Sequence, residues 1–194
     1  WKPHTPVLAE GRVRYVGEPV ACVIAETAQV AADAVELIEV DYDDLPAVVD
    51  AVAALEPGSP VLHDEIPGNL ALDWEIGDEA RTREAFARAK HVVTLRAYNN
   101  RVIAHPMEPR ASLAVYSATD DVTTLHCPSQ GAHLQMGLLS AATKLPQEKL
   151  KLVLREVGGG FGARSAIYPE YVTTVLAARL LKRPVKWQGT RAEV

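Results

Sequence analysis

The segment Val-Gly-Gly-Gly-Phe-Gly-Ala-Arg at residues 157–164, here called the glycine loop, carries the strongest chemical signal in the sequence. It lies between a predicted strand and a predicted helix. Glycine is needed where the backbone adopts conformations that a Cβ forbids, or where another group approaches the backbone closely. Free N–H groups before a helix favour oxyanions, so the segment predicts a loop whose amides face a bulky anionic ligand.

Two other interpretations of the glycine loop stay open at the level of sequence. A tight turn is one, although a turn does not need four glycines in five positions. A dinucleotide loop is the other, because Gly158, Gly160 and Ala163 fit the pattern G-x-G-x-x-G/A. That pattern should be followed by a strand ending in Asp or Glu, whereas Gln188 and Gly189 follow the next predicted strand.

The composition is typical of a folded globular protein, with 194 residues, 48% hydrophobic and 23% charged. A net charge of −5 gives no indication of a nucleic-acid or membrane partner. Cys22 and Cys127 cannot supply the four thiolates of an iron–sulfur cluster, and the histidines show no metal-ligand spacing. We therefore expect no metal-ligating residue, no iron–sulfur cluster and no flavin in this chain, and two buried thiols in a reducing cytoplasm.

Hydrophobic periodicity predicts the elements that position the glycine loop. Thr27 and Asp78 are candidate N-caps of the first two helices. The predicted helices cover residues 28–37, 79–90, 130–144 and 169–181. The predicted strands cover residues 12–16, 20–25, 38–42, 47–49, 91–98, 112–118, 122–127, 150–157 and 184–187.

Segments along the whole chain resemble, in order, the molybdopterin-binding large subunit of the xanthine dehydrogenase/aldehyde oxidase family. That family includes bacterial aldehyde, N-heterocycle and carbon monoxide dehydrogenases. Residues 14–21 and 38–48 resemble its hammerhead domain, and residues 99–110 resemble the segment that follows. The glycine loop with Tyr168 and Pro169 resembles the glycine loop of the family, and residues 184–187 and Arg191 are in register.

The resemblance implies an α+β fold in which part of a hammerhead domain precedes the first part of a molybdopterin-binding domain. The partial α/β hammerhead domain corresponds to residues 1–52. A linker with a short helix follows at residues 53–90. The N-terminal part of the molybdopterin-binding domain corresponds to residues 91–194.

The resemblance also assigns roles to individual residues of the site. Backbone amides contact the molybdenum ligands and the pterin at Gly159, Gly160, Phe161 and Gly162. Gln130 donates its side-chain amide to a molybdenum oxygen, or alternatively caps the helix that follows it. Arg164 meets anionic groups of the cofactor, or alternatively is solvated.

Two expectations concern residues outside the cofactor-binding set. Glu108 and Arg110 are predicted to form an internal ion pair. No catalytic residue is expected in this chain, because the catalytic Glu of the family corresponds to a segment after Val194. The isolated chain is therefore expected to be inactive.

The implied function is that of part of a molybdenum hydroxylase that oxidises an aldehyde, an N-heterocycle or a similar small substrate with a water-derived hydroxyl. The implied cofactor is molybdenum–molybdopterin in its cytosine dinucleotide form. The implied partners are an iron–sulfur subunit, an FAD subunit and the remaining part of the large subunit. Ser165 stands where some purine-oxidising members carry an acidic residue, which weakens the case for xanthine. A cofactor-free assembly module and a dinucleotide-binding domain are the alternative functions.

Overall fold

The computed structural model describes residues 5–193 and shows an α+β fold, as predicted. The helices are α1 (Ala28–Val35), α2 (Glu79–Arg88), α3 (Ala132–Thr143) and α4 (Pro169–Leu181). The strands are β1 (Ala111–Ser117), β2 (Val122–His126), β3 (Leu150–Val153) and β4 (Val185–Gln188). Within these residues, no helix has both the length and the apolar character needed to cross a membrane.

Two compact units share the chain, one formed by Thr5 with residues 42–102 and the other by residues 6–41 and 103–193. The first unit contains α2 and long irregular segments. Asn69 organises one of these segments: its Oδ1 accepts from the N–H of Leu62 at 2.9 Å, and its Nδ2 donates to the carbonyls of Ala54 and Pro60. The second unit contains the sheet, α1, α3, α4 and the glycine loop.

Local capping signals account for the helix starts that the sequence predicts correctly. The Thr27 hydroxyl accepts from the N–H of Val30 at 3.2 Å, and the Asp78 carboxylate accepts from the N–H of Arg81 at 2.9 Å. Each bond satisfies a donor that the first helical turn leaves free. Proline in the first turn of α4 has a φ suited to helix and lacks only a donor that would be unpaired there.

The sheet has the strand order β3-β2-β1-β4. Strand β1 pairs antiparallel with β2 and with β4, and β2 and β3 form the one parallel pair of this sheet. Strands β3 and β4 run in the same direction but lie at opposite edges, with β2 and β1 between them. The segment from β3 through α4 to β4 therefore does not join two neighbouring parallel strands, as the dinucleotide-binding alternative requires, and that alternative is wrong.

The core of the second unit lies between the sheet and the helices α3 and α4. Fully buried apolar side chains fill this layer: Ala114, Leu125, Leu139, Tyr171, Val175 and Ala178. Strand β3 and helix α4 both contribute to it. Burial of these two elements holds the ends of the glycine loop in place.

The predicted strands before residue 100 are wrong, since the first strand among residues 5–193 begins at Ala111. Alternation indicates an extended backbone, but a strand also needs a neighbouring segment that pairs its N–H and C=O groups. Apolar side chains of these segments are exposed, with relative accessibilities of 105% for Val16, 97% for Val49 and 85% for Leu95. Their predicted burial therefore does not occur within the described residues.

Asp121 closes the turn between β1 and β2 and supports a pH-dependent prediction. Hydrogen bonds from Lys149, at 3.1 Å, and from Arg179 hold the pKa of Asp121 below 3.8. A depressed folded-state pKa contributes stability above the unfolded-state pKa, and this stability is lost as the pH falls through the folded-state value. We expect Asp121→Asn to lower the Tm at neutral pH, with the difference shrinking as the pH falls below 3.8.

Asp120→Asn is the matched control, because among residues 5–193 the Asp120 carboxylate accepts only from the Ser117 hydroxyl, at 3.0 Å. Thermal unfolding across the acidic range would measure both variants. A Tm difference for Asp121→Asn that does not change with pH would contradict the prediction.

Candidate cofactor-binding site

The glycine loop passes from β3 to α4 through three residues with left-handed backbone. Their φ values are +106° for Gly159, +51° for Phe161 and +90° for Gly162. Glycine adopts such values at little cost, whereas a bulky residue such as Phe161 rarely does. The Phe161 side chain is 77% exposed, so the loop directs an aromatic ring outward.

Three consecutive backbone amides in the glycine loop are free. The N–H groups of Gly159, Gly160 and Phe161 have no hydrogen-bond acceptor among residues 5–193. The flanking N–H groups of Gly158 and Gly162 are both bonded to side-chain oxygens. Adjacent free amides with alternating backbone handedness form a positive concave surface that suits an anionic oxygen.

Gln130 holds the C-terminal half of the loop. Its Oε1 accepts from the N–H groups of Gly162 at 2.9 Å and Arg164 at 3.1 Å. Two facing donors orient the oxygen of the side chain toward the loop, so its Nε2 points elsewhere. Within the described chain Nε2 has no acceptor and is available to donate.

The same side chain explains why residue 160 is glycine. A Cβ on Gly160 would lie 2.5 Å from Cδ and 2.6 Å from Oε1 of Gln130. Helix α3 begins at Ala132 with Gly131 as its N-cap, and no side chain caps it. The alternative in which Gln130 caps the following helix is therefore wrong.

Glu108 holds the N-terminal half of the loop. Its Oε2 accepts from the N–H of Gly158 at 2.8 Å, and its own N–H donates to the Gly158 carbonyl at 3.2 Å. A Cβ on Gly158 would lie 2.6 Å from Cβ of Glu108, and one on Gly159 would lie 3.2 Å from Cβ of Pro106. Residues 106–108 thus pack against the N-terminal half of the loop, as Gln130 packs against the C-terminal half.

The predicted ion pair between Glu108 and Arg110 is wrong. The Nε of Arg110 donates to Glu170 at 2.6 Å, and its guanidinium lies 4.3 Å from the centroid of the Tyr168 ring. Glu108 instead pairs with Arg164, with 3.6 Å between the guanidinium and Oε2. The pairing follows the tertiary contacts of each arginine rather than proximity in sequence.

Arg164 is buried, with 1% of its surface exposed. Its NH2 donates to the Glu108 carbonyl, while its NH1 has no hydrogen-bond partner within residues 5–193. The alternative of a solvated side chain is therefore wrong. Arg164 also lines a pocket of about 110 Å³ together with Pro106, Arg110 and Tyr168.

Cys127 lies close to Arg164 in the core and supports a prediction about thiol reactivity. Burial raises the pKa of the Cys127 thiol to about 12, whereas Cys22 is exposed. The expectation that both thiols are buried is thus wrong for Cys22. Because the thiolate is the reactive form, we expect iodoacetamide to modify only Cys22 in the folded chain at mildly alkaline pH.

Intact-mass analysis would measure this labelling, with full modification of both thiols in denaturant as the reference. In Cys22→Ser the folded chain should take up no label. Rapid labelling of that variant without denaturant would contradict the prediction.

The structure brings Gln130 into contact with Gly160, Gly162 and Arg164. The Phe161 side chain has no contact with Gln130 among those described, since its ring is exposed and lies 3.1 Å from the position of a Cβ on Gly159. The role of Glu108 could not be predicted from the sequence, because a glycine loop indicates that something approaches the backbone without indicating which residue does so. Cofactor contact by the predicted set stays a prediction.

Two protein-family models match this chain. A family model for the molybdopterin cofactor-binding domain matches residues 62–194. A second model, for the aldehyde oxidase and xanthine dehydrogenase a/b hammerhead domain, matches residues 2–46. The chain therefore belongs to the molybdopterin-binding large-subunit family of xanthine dehydrogenases and aldehyde oxidases.

Relatives of known activity cover almost the whole chain. The carbon monoxide dehydrogenase large chain of Hydrogenophaga pseudoflava is 36% identical over 96% of this chain and 25% of its own length. The nicotine 6-hydroxylase large subunit of Paenarthrobacter nicotinovorans is 37% identical over 97% of this chain and 23% of its own length. The chain thus spans about a quarter of the length of the curated relatives it matches.

Solved structures of related enzymes also match almost the whole chain. A structure of Cu,Mo-CO dehydrogenase in its carbon monoxide reduced state matches with a TM-score of 0.87 and 35% identity, over 96% of this chain and 25% of its own. Quinoline 2-oxidoreductase from Pseudomonas putida 86 matches with a TM-score of 0.82 and 34% identity, over 97% of this chain and 24% of its own.

Proposed function

We propose that this chain forms one wall of a molybdenum–molybdopterin site in a molybdenum hydroxylase. The observation that carries the proposal is the run of free N–H groups at Gly159, Gly160 and Phe161. The residues present fit an oxygen-rich anionic group, because these amides have no acceptor among residues 5–193 and the space of a Cβ is empty at Gly162. When bound, this group supplies a two-electron oxidation that adds a water-derived hydroxyl to the substrate.

The residues of the chain hold and orient the cofactor in this proposal. The free amides of Gly159, Gly160 and Phe161 donate to its oxygens, and Gly162 allows close approach because nothing lies within 4 Å of its missing Cβ. Gln130 donates through Nε2 to an oxygen on molybdenum. Because Gln130 Oε1 is already bound by the loop, donation through Nε2 adds no cost of ordering the side chain.

Arg164 supports the proposed site from inside the protein. Its main chain is bonded to Gln130 in both directions, through its N–H and its carbonyl. Its buried guanidinium lines the pocket beside the loop, where an anionic part of the cofactor would find a positive charge.

The proposal includes the expected partners and the form of the cofactor. The remaining part of the large subunit covers exposed apolar side chains of this chain, among them Val16, Val49 and Leu95, since such side chains favour burial against another surface. The partner subunits are an iron–sulfur subunit and an FAD subunit, which receive the electrons, and the pterin is the cytosine dinucleotide form. Residues 1–52 form part of the hammerhead domain, residues 53–90 the linker with a short helix, and residues 91–194 the first part of the molybdopterin-binding domain. Both cysteines are free thiols, which supports a cytoplasmic location.

The substrate in the proposal is an aldehyde, an N-heterocycle or a similar small molecule. Similarity to nicotine 6-hydroxylase and to quinoline 2-oxidoreductase supports the N-heterocycle class. Similarity of the same degree to carbon monoxide dehydrogenase keeps carbon monoxide among the substrates to be assayed.

The test uses the large subunit that contains this chain, produced together with its iron–sulfur and FAD subunits. Elemental analysis should find stoichiometric molybdenum, and acid release should yield cytidine monophosphate. Dye-linked oxidation of an aldehyde, an N-heterocycle and carbon monoxide should show turnover of one class. An assembled complex without molybdenum would overturn the proposal and favour the cofactor-free assembly module.

A further inference from the structure

Glu108 contacts both ends of the glycine loop at once. At one end, its Oε2 accepts from the N–H of Gly158 at 2.8 Å and its N–H donates to the Gly158 carbonyl at 3.2 Å. At the other end, the same Oε2 lies 3.6 Å from the guanidinium of Arg164, which also donates to the Glu108 carbonyl. One carboxylate oxygen thus joins the first glycine of the loop to its last residue.

The two halves of the loop depend on different residues. The C-terminal half has several supports: the Gln130 side chain, the N–H of Ala163 on the Gly160 carbonyl at 2.9 Å, and the N–H of Ser165 on the Gly162 carbonyl at 3.2 Å. The hydrogen bonds of Gly158 within residues 5–193 all go to Glu108. The free amides lie between the two halves, so their directions depend on both.

Two arginines hold the backbone on either side of Glu108. The Arg191 guanidinium donates to the carbonyls of Pro106, at 2.5 Å, and Met107, at 3.3 Å. Two residues after Glu108, Arg110 is bonded to Glu170 at 2.6 Å and lies over the Tyr168 ring. The backbone that carries the carboxylate is therefore anchored on both sides by arginine contacts to residues outside the glycine loop, of which Tyr168 itself donates through its hydroxyl to the Ala163 carbonyl of the loop.

We propose that Glu108 is a positioning residue, whose carboxylate sets the directions of the free N–H groups of Gly159, Gly160 and Phe161 by joining Gly158 to Arg164. The carboxylate accepts a charge-assisted hydrogen bond and balances a buried guanidinium at the same time. A glutamine retains one acceptor oxygen but lacks the charge and presents N–H donors to the guanidinium. The consequence for cofactor binding rests on the proposed function, whereas the geometry of the loop is measurable without cofactor.

The test is residue-resolved amide exchange by NMR on the 194-residue chain without cofactor, for the unmodified protein, Glu108→Gln and Glu170→Gln. Glu170 is the matched control because its carboxylate is also partly buried and paired with an arginine, Arg110, outside the loop. In Glu108→Gln we expect exchange at Gly162 and Arg164 to accelerate by roughly tenfold or more, because Gly158 loses its charged acceptor, the Arg164 guanidinium loses its counter-charge, and the loop then opens as a unit. Their acceptor, Gln130, is unchanged in this variant, so acceleration there reports transmission through the loop.

The chemical shifts of the Gly160 and Phe161 amides provide a second readout, since among residues 5–193 neither residue is hydrogen-bonded to Glu108. They should move in Glu108→Gln and stay in place in Glu170→Gln. Faster exchange at Gly158 alone, with these shifts unchanged, would overturn the proposal and leave Glu108 as a local acceptor.

If Glu108→Gln does not fold, the same measurements are made on Glu108→Asp. This variant keeps the charge and shortens the side chain by one methylene. Exchange at Gly162 and Arg164 as slow as in the unmodified chain would overturn the proposal in this variant also. If the unmodified enzyme does not bind molybdenum, the proposed function is contradicted. The exchange results are unaffected, because they are measured without cofactor.

Discussion

Gly160→Ala is expected to abolish most cofactor binding, because the new Cβ occupies the space of the Gln130 side chain. It would lie 2.5 Å from Cδ, 2.6 Å from Oε1 and 2.7 Å from Cγ of Gln130. Gly160 has no positive φ, so alanine causes no backbone strain and the effect is steric. Displacing Gln130 breaks its bonds to Gly162 and Arg164.

The expected cost has two parts. Forcing extra volume into a packed site costs about 1–3 kcal/mol of folding stability. Loss of loop geometry should weaken cofactor binding by roughly tenfold or more, since about 1.4 kcal/mol corresponds to tenfold in affinity. Molybdenum content of the purified large subunit and its Tm measure the two effects separately.

Gly137→Ala is the matched control, because Gly137 lies within α3 and has nothing within 4 Å of its missing Cβ. Alanine there should raise stability by about 0.5–1 kcal/mol and leave molybdenum content unchanged. Gln130→Ala should reproduce most of the effect of Gly160→Ala, and the double variant should add little to either. Full molybdenum content in Gly160→Ala would contradict the prediction.

Arg164→Met is expected to destabilise the chain by about 3 kcal/mol, because it removes the buried partner of Glu108. Methionine is long enough to fill most of the space, so the loss comes from the broken ion pair and hydrogen bond rather than from a cavity. The value lies at the low end for buried pairs since the Glu108 side chain is 35% exposed and regains some hydration.

Thermal or denaturant unfolding would measure this change, which corresponds to a Tm decrease of roughly 6–12 °C for a domain of this size. Arg183→Met is the matched control, because Arg183 and Glu26 form an exposed pair at 3.4 Å. Exposed pairs contribute about 0–1 kcal/mol, so its Tm should barely change. Equal Tm decreases in both variants would show that burial of Arg164 contributes nothing.

The helices and the C-terminal strands follow from signals that lie close together in sequence. Thr27 and Asp78 cap helices through bonds to residues three positions ahead, which spacing alone reveals. The hairpin of β1 and β2 is also local, with its turn at residues 118–121. Predicted strands before residue 100 are wrong because pairing needs a second segment, whose presence alternation cannot indicate.

The glycine loop shows the same division between local and non-local information. Its four glycines in five positions predicted that a Cβ is excluded at several of them. Only the tertiary structure decided the reason at each position: Gly158 faces Glu108, Gly160 faces Gln130, and Gly162 has a left-handed backbone. The backbone conformations open to a glycine are a property of that residue, whereas the side chains that pack against the loop come from distant segments.

The choice of ion-pair partners was likewise decided by the tertiary structure. Proximity in sequence predicts a pair between Glu108 and Arg110, yet each binds a residue more than fifty positions away. Burial of Arg164 requires a counter-charge, and the fold brings Glu108 within 3.6 Å of it. The sequence by itself determined that a glycine-rich loop joins a strand to a helix. Folding decided which of its amides stay free and which side chains orient them, because those contacts join segments far apart in the chain.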